Sequence, residues 1–312
     1  MVNNKLRVGI TGAGIFGGYH ASKMVAHPLV DFVCIYDPLH PERALDLADR
    51  CGAKAVDSRE ELIGLADALI IASPASAHGR QGLDALQNGL HVLVEKPLAT
   101  DMETAREMVA VADRKQLVLQ VGHQERFVSK AVGLFDVPER PLRITAQRVC
   151  AYNERGTDVS VTLDLMIHDL ELVTAITGEM PVRTIGTTQI GPSGGIDEAN
   201  VSLSYPNGLE VKLLASRMAD APSRTMEIQY PSGKVHVDFL TRTLIHDTPF
   251  SLNTDFANHP EAADSLGASD NAFVKAVLHG AGTPVSGVDG ARALFLALTA
   301  DQEQVLATDI AV

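Results

Sequence analysis

The stretch LRVGITGAGIFGGYH, Leu6 to His20, runs from a short β-branched segment straight into a glycine-spaced turn and the start of a helix. Gly12, Gly14 and Gly17 fit GxGxxG. In that arrangement the first glycine permits a tight turn, the second lets backbone approach a pyrophosphate, and the third lets helix pack on strand. The spacing alone is weak, because glycine-rich turns arise for other reasons. Its position after a strand, before a helix and at the head of a repeating pattern makes it a dinucleotide-binding candidate, with Ile15 and Phe16 in the loop against the cofactor.

Working outward, DFVCIYD, ALIIAS, HVLVEK and LVLQVG follow the first strand, each separated by an amphipathic segment, up to about Gly122. Strands alternating with helices predict an α/β domain built on a doubly wound parallel sheet, a Rossmann fold. Gly89 closes one helix, and Thr100 with Glu103 forms a capping box for the next. The second strand ends at Asp37, where a carboxylate would accept hydrogen bonds from an adenosine ribose and repel a 2′-phosphate. No basic residue follows before Arg43, so NAD is favoured over NADP. The bland alternative for Asp37 is a turn or helix-start residue. In ASPASAH, Ser73 and Pro74 are expected beside the cofactor, and His78 either joins them or simply caps or packs.

The fourth of these strands leads into VEKP, with Glu95, Lys96 and Pro97 in a row, and Glu95 and Lys96 are expected against the cofactor. Ligands of doubly wound folds sit beyond the carboxyl ends of the strands. Pro97 restricts Lys96 to extended backbone geometry, so the side chain has a set direction. A lysine there can bind a hydroxyl or, with its pKa lowered, take its proton.

After about Gly122 longer strands are joined by hairpin turns at Asn207-Gly208 and Pro231-Ser232-Gly233. One helix interrupts them, TDVSVTLDLMIHDLELVTAITG, with Gly178 as its stop. The expectation is a domain of residues 1–122 and a second of 123–312, the latter α+β with a large open, mostly antiparallel sheet through which the chain self-associates as a dimer or tetramer. Two helical segments, DNAFVKAVLHG and DGARALFLALTADQEQVLA, close it. Within DLMIHD, Asp164 and His168 are four apart and share a helix face, where a carboxylate can orient an imidazole. Taken alone, such a pair is more often surface decoration than catalysis.

At 312 residues, 46% hydrophobic and 21% charged, the chain has material for two cores. A net charge of −13 opposes nucleic-acid binding. The absence of a long apolar run points away from the membrane and toward the cytoplasm. Cys34, Cys51 and Cys150 lack the spacing of a disulfide framework or a metal site.

GAGIFGGYH, ASPASAH, VEKP and DLMIHDLEL, in this order and at these separations, resemble the Gfo/Idh/MocA family of sugar and polyol oxidoreductases. The resemblance covers nearly the whole chain, including FVKAVLHGAGTPVSGVDGARAL. It implies that Lys96 and His168, with Asp164 as helper, flank the sugar carbon that exchanges hydride with NAD. VGHQERF and SRMADAPSRTMEIQYPSGKVHVDFL are further similar to members acting on the 3-hydroxyl of UDP-N-acetylglucosamine. That implies substrate contacts from His123 and Arg126, with Gln124 and Glu125 nearby; the bland alternative for His123 and Arg126 is an ion-pair or hydrogen-bond cluster. Such members usually continue ERF with Asn-Pro, where this chain has Val128-Ser129. A free sugar, inositol or another polyol remains an alternative substrate, as does a noncatalytic NAD-binding sensor or assembly role.

Overall fold

A computed structural model of the chain describes residues 5–302; the expected helical end at 303–307 lies outside them. The chain divides into two compact units, one of residues 1–124 and 266–291, the other of 125–265 and 292–312.

The first unit holds β1 (Leu6–Thr11), α1 (Ile15–Ala26), β2 (Val30–Tyr36), α2 (Pro41–Cys51), β3 (Lys54–Ala55), α3 (Arg59–Leu65), β4 (Ala68–Ile71), α4 (Ala75–Gln87), β5 (His91–Val94), α5 (Met102–Lys115) and β6 (Leu119–Val121). Its six strands are ordered β3-β2-β1-β4-β5-β6, and every pair is parallel. This is the doubly wound sheet expected from the β/α alternation. Strands buried on both faces read as continuous apolar runs, as Ala68–Ile71 does. Helix α5 starts one residue later than the Thr100 box implies: Asp101 is the N-cap, its Oδ1 accepting from the Thr104 N–H at 2.8 Å.

The second unit holds α6 (Glu125–Val132), β7 (Arg143–Val149), α7 (Ile167–Thr177), β8 (Arg183–Ile190), β9 (Ile196–Ser204), β10 (Glu210–Ser216), β11 (Ser223–Tyr230), β12 (Gly233–Asp238), β13 (Thr243–His246) and α8 (Pro260–Ala263). Its sheet has seven strands, β13-β12-β11-β7-β10-β9-β8, antiparallel except for β7 with β10. The two hairpin turns fall where Asn207-Gly208 and Ser232-Gly233 place them, Gly208 at φ +84°. Inward positions alternate strictly, as in Ala199, Val201 and Leu203 of β9. A π-helical turn, Thr162–Met166, precedes α7, so the stretch joining Asp164 to His168 is not regular α-helix.

Helix α9 (Ser265–His279) departs from the expected boundary, which put the whole closing segment in the second domain. Its Phe273 and Val274 are fully buried in one core with Leu6, Val8 and Ile10 of β1. Burying such side chains stabilises by roughly 1.5–3 kcal/mol each. Gln120 of β6 also donates to the Ser269 carbonyl at 2.9 Å. A 3.6-residue apolar period announces a buried face without saying which sheet it will meet. The final helix α10 (Gly287–Asp301) begins in the first unit and ends in the second.

Candidate active site

The three motif glycines are required for three different reasons. Gly12 has φ +94°, and a Cβ there would lie 2.7 Å from the backbone of Ala72 and Ser73, so β1 and the end of β4 approach only because residue 12 lacks a side chain. A Cβ on Gly17 would lie 1.8 Å from the Gly12 carbonyl oxygen. Around Gly14 nothing lies within 4 Å of that position. Gly14 is also the N-cap of α1, whose start carries neither a side-chain cap nor an acidic residue. A positive helix end bordered by open space fits a pyrophosphate. Ile15 and Tyr19 are exposed, and Phe16 packs edge-on to the Tyr19 ring at 6.1 Å.

Asp37 Oδ2 accepts from the Ala13 N–H at 2.9 Å, and Oδ1 from the Leu39 and His40 N–H groups at 3.0 Å each. The carboxylate thus ties the glycine turn to the start of α2 at the place where a ribose is expected. Glycine turn, helix end and Asp37 together fit a dinucleotide.

Ser73 Oγ donates to Gln81 at 2.7 Å, and Pro74 is the N-cap of α4. His78 is buried, with Nδ1 2.8 Å from the Pro97 carbonyl and Nε2 2.9 Å from that of Ser73. Burial holds the imidazole below its ordinary range despite these two acceptors. It therefore braces the loops after β4 and β5 from behind. The Lys96–Pro97 peptide is cis, and Lys96 is half-buried where β5 leaves the sheet.

Glu95, expected against the cofactor, is instead buried with its carboxylate turned inward to a buried histidine, because an ionised group inside the fold needs a charged partner. His20 of α1 has Nε2 3.2 Å from Glu95 Oε1 and Nδ1 2.8 Å from Asp270 Oδ1 of α9. Gly122 makes room for this carboxylate, since a Cβ there would lie 2.6 Å from Glu95 Oε1. Burial opposes charge on His20, but Asp270 and Glu95 outweigh it and raise its pKa to about 10. The proton is held more tightly in the folded chain than at the ordinary value of about 6.5. Its stabilisation is complete below that pH and lost as pH rises toward 10. Thermal melts from pH 7 to 10 should show Tm falling by about 4 °C more in the wild type than in Asp270→Asn, in which the main charge raising His20 is gone. Equal slopes would exclude the charged triad.

In the second unit, His168 Nδ1 lies 2.8 Å from Glu125 Oε2 of α6. Glu125 Oε1 accepts from Arg148 Nη1 at 2.7 Å. Arg148 in turn donates from Nε and Nη2 to both oxygens of Asp169, at 3.1 and 3.0 Å. Asp164 Oδ2 accepts from Arg217 Nη2 at 3.1 Å. Arg126 donates to Glu171 at 2.9 Å, and its guanidinium lies over the Phe135 ring, 5.4 Å from the centroid. His123 is buried at the end of β6, as are Val128 and Ser129 in α6, so the departure after ERF falls on packed positions.

Sequence reasoning thus located the glycine turn, Asp37, the Ser73–Pro74 loop and Lys96 at neighbouring strand ends of one sheet. It did not identify His20 with Asp270, or Arg148 with Asp169. Arg148 had a signal: it occupies the inward register of β7 after Ile144 and Ala146, where a charge needs a partner. Asp270 had none, being 250 residues from His20.

A family model described as oxidoreductase family, NAD-binding Rossmann fold, matches residues 6–123. A second, described as GFO/IDH/MocA C-terminal domain, matches residues 139–236. The chain is 33% identical over 243 residues to UDP-N-acetylglucosamine 3-dehydrogenase of Acidithiobacillus ferrooxidans, covering 77% of this chain and 76% of that protein. A solved structure of UDP-N-acetylglucosamine 3-dehydrogenase from that organism aligns with a TM-score of 0.86 at 30% identity, over 96% of this chain and 97% of the other. Inositol 2-dehydrogenase of Rhizobium meliloti is 26% identical over 326 residues, 94% of each chain.

Proposed function

The chain belongs to the GFO/IDH/MocA family of NAD-dependent sugar and polyol dehydrogenases, which act on CH–OH groups, and from that premise we propose that it oxidises the 3-hydroxyl of a nucleotide sugar such as UDP-N-acetylglucosamine. The observation that carries the proposal is the likeness, in sequence and in structure, to UDP-N-acetylglucosamine 3-dehydrogenase.

Bound NAD supplies the hydride acceptor. Gly12, Gly14 and Gly17 with Ile15 and Phe16 receive its pyrophosphate at the start of α1, and Asp37 its ribose. His168 takes the hydroxyl proton, and Lys96 offers positive charge to the alkoxide that develops as the C–H bond breaks. These two roles are interchangeable within the proposal. Asp164 supplies negative charge one turn before His168, and His123 and Arg126 belong to the substrate side.

Purified protein mixed with NAD and UDP-N-acetylglucosamine should develop the NADH absorbance band, and His168→Ala should abolish it. N-acetylglucosamine, glucose and myo-inositol serve as comparison substrates. The likeness to inositol 2-dehydrogenase along nearly the whole chain favours a polyol as the second reading, and preferential oxidation of inositol would select it. Silence with every substrate, with NAD bound and 2-oxoglutarate present to reoxidise retained cofactor, would end both.

We further propose that the chain self-associates through the open face of the seven-stranded sheet. The support is a broad face of hydrogen-bonding side chains, among them Thr145, Gln147, Asn200, Lys212 and Glu227. Light scattering should give a dimer or larger, and Thr145→Arg with Asn200→Arg should shift it toward the monomer. A monomeric wild type at micromolar concentration would refute it.

A further inference from the structure

We infer that Glu125 is the positioning residue for His168, fixing the ring proton on Nδ1 so that Nε2 is left as the proton acceptor. This rests on His168 being the group that takes the substrate proton. The carboxylate is held from behind. Oε1 is committed to Arg148, which is 3% exposed and gripped through two further N–H groups by Asp169, while Oε2 meets His168 Nδ1 at 2.8 Å. All four residues belong to the second unit.

The tautomer follows from the donor inventory. An ionised carboxylate only accepts, and a guanidinium only donates. Burial by itself would raise the Glu125 carboxyl, but His168 and Arg148 hold it well below the usual range, so it is ionised. The Nδ1–Oε2 approach is an ion-pair contact too bent for a good hydrogen bond, yet a bare Nδ1 there would set its lone pair against a carboxylate oxygen, so a neutral His168 carries its proton on Nδ1 and Nε2 is left without one. The charge balance favours the next step. One arginine set between two carboxylates leaves one negative charge, which His168 neutralises on becoming imidazolium. Of the flanking charges, Arg126 is paired with Glu171, while Arg217 is shared between Asp164 and Asp197, so that group too keeps one negative charge.

Glu125→Gln separates this role from simple packing. A glutamine side chain offers one acceptor oxygen, and Arg148, anchored by Asp169, requires it. The amide N–H₂ then meets Nδ1, which must accept, and the ring proton moves to Nε2, the wrong tautomer for a base. In protein labelled with ¹⁵N-histidine, with the His168 signals assigned by their loss in His168→Gln, the wild type should show protonated Nδ1 and bare Nε2. Glu125→Gln should show the reverse. Its kcat should fall about 10²–10³-fold, with KM and NAD affinity within about threefold, and the acid limb of the kcat profile should move to lower pH.

A wild-type His168 protonated on Nε2, or an unchanged tautomer and kcat in Glu125→Gln, would overturn the inference. Should Glu125→Gln fail to fold, Glu125→Asp carries the test: the wild-type tautomer with a displaced acid limb supports it, and an identical profile overturns it. If the tautomers are as inferred but no sugar is oxidised, the proposed function fails and the positioning role stands.

Discussion

Lys96→Met should lower kcat by about 10³-fold or more while leaving NAD affinity within about tenfold. Methionine keeps the length and much of the volume of the lysine stem, so the change removes charge and little else. The backbone on either side is fixed by contacts that the substitution does not touch: Glu95 is tied to His20, and the Pro97 carbonyl packs 2.8 Å from His78 Nδ1. The ammonium therefore leaves a pre-positioned site that stays in place. Removing one oriented donor from a developing oxyanion costs about 10²–10³-fold, and loss of a full charge costs more. Steady-state NADH formation gives kcat, and titration calorimetry with NAD gives affinity. Near wild-type turnover would remove Lys96 from the chemistry, whether it is assigned as stabiliser or as proton acceptor.

The strand-end residues were legible because their rules are local. GxGxxG, a carboxylate after the second strand, and a lysine before proline after the fifth each announce a place in a doubly wound sheet within a few residues. The hairpins were legible for the same reason, since Asn207-Gly208 specifies its own turn. Asp164 shows where local rules fail. Four-residue spacing puts it on a helix face with His168, yet a π turn intervenes, and the carboxylate at 2.8 Å from Nδ1 is Glu125, 43 residues earlier in the chain. Such a contact depends on how α6 packs beside α7, and no pattern in either segment encodes it. The same holds for α9, whose Asp270 and Phe273 pack within the first unit although the chain reaches them only after the second sheet is complete. Ion pairs between distant segments are consequences of tertiary packing, and only the isolated inward charge, as at Arg148, hints at them beforehand.

Gly17→Ala and Gly14→Ala, one methyl group each and three positions apart, should both weaken NAD binding, but only the first should destabilise the fold. At Gly17 the added Cβ would lie 1.8 Å from the Gly12 carbonyl oxygen and 2.9 Å from its carbon, a clash with backbone that no rotamer relieves. The turn must open or α1 must move off β1, displacing His20 from its two carboxylates as well. Strain of this kind costs about 3 kcal/mol or more, a large share of the stability of a typical domain. The expected result is a Tm lowered by about 6 °C or more and NAD binding weakened at least about 100-fold. At Gly14 the methyl enters open space, so the apoprotein should melt within about 1 °C of the wild type. If that space admits the pyrophosphate, NAD binding should still fall at least about tenfold, because the backbone can no longer be approached closely. Melting curves with and without NAD separate the two effects. A Gly14→Ala protein that is stable and binds NAD normally would show that the cofactor does not use this turn.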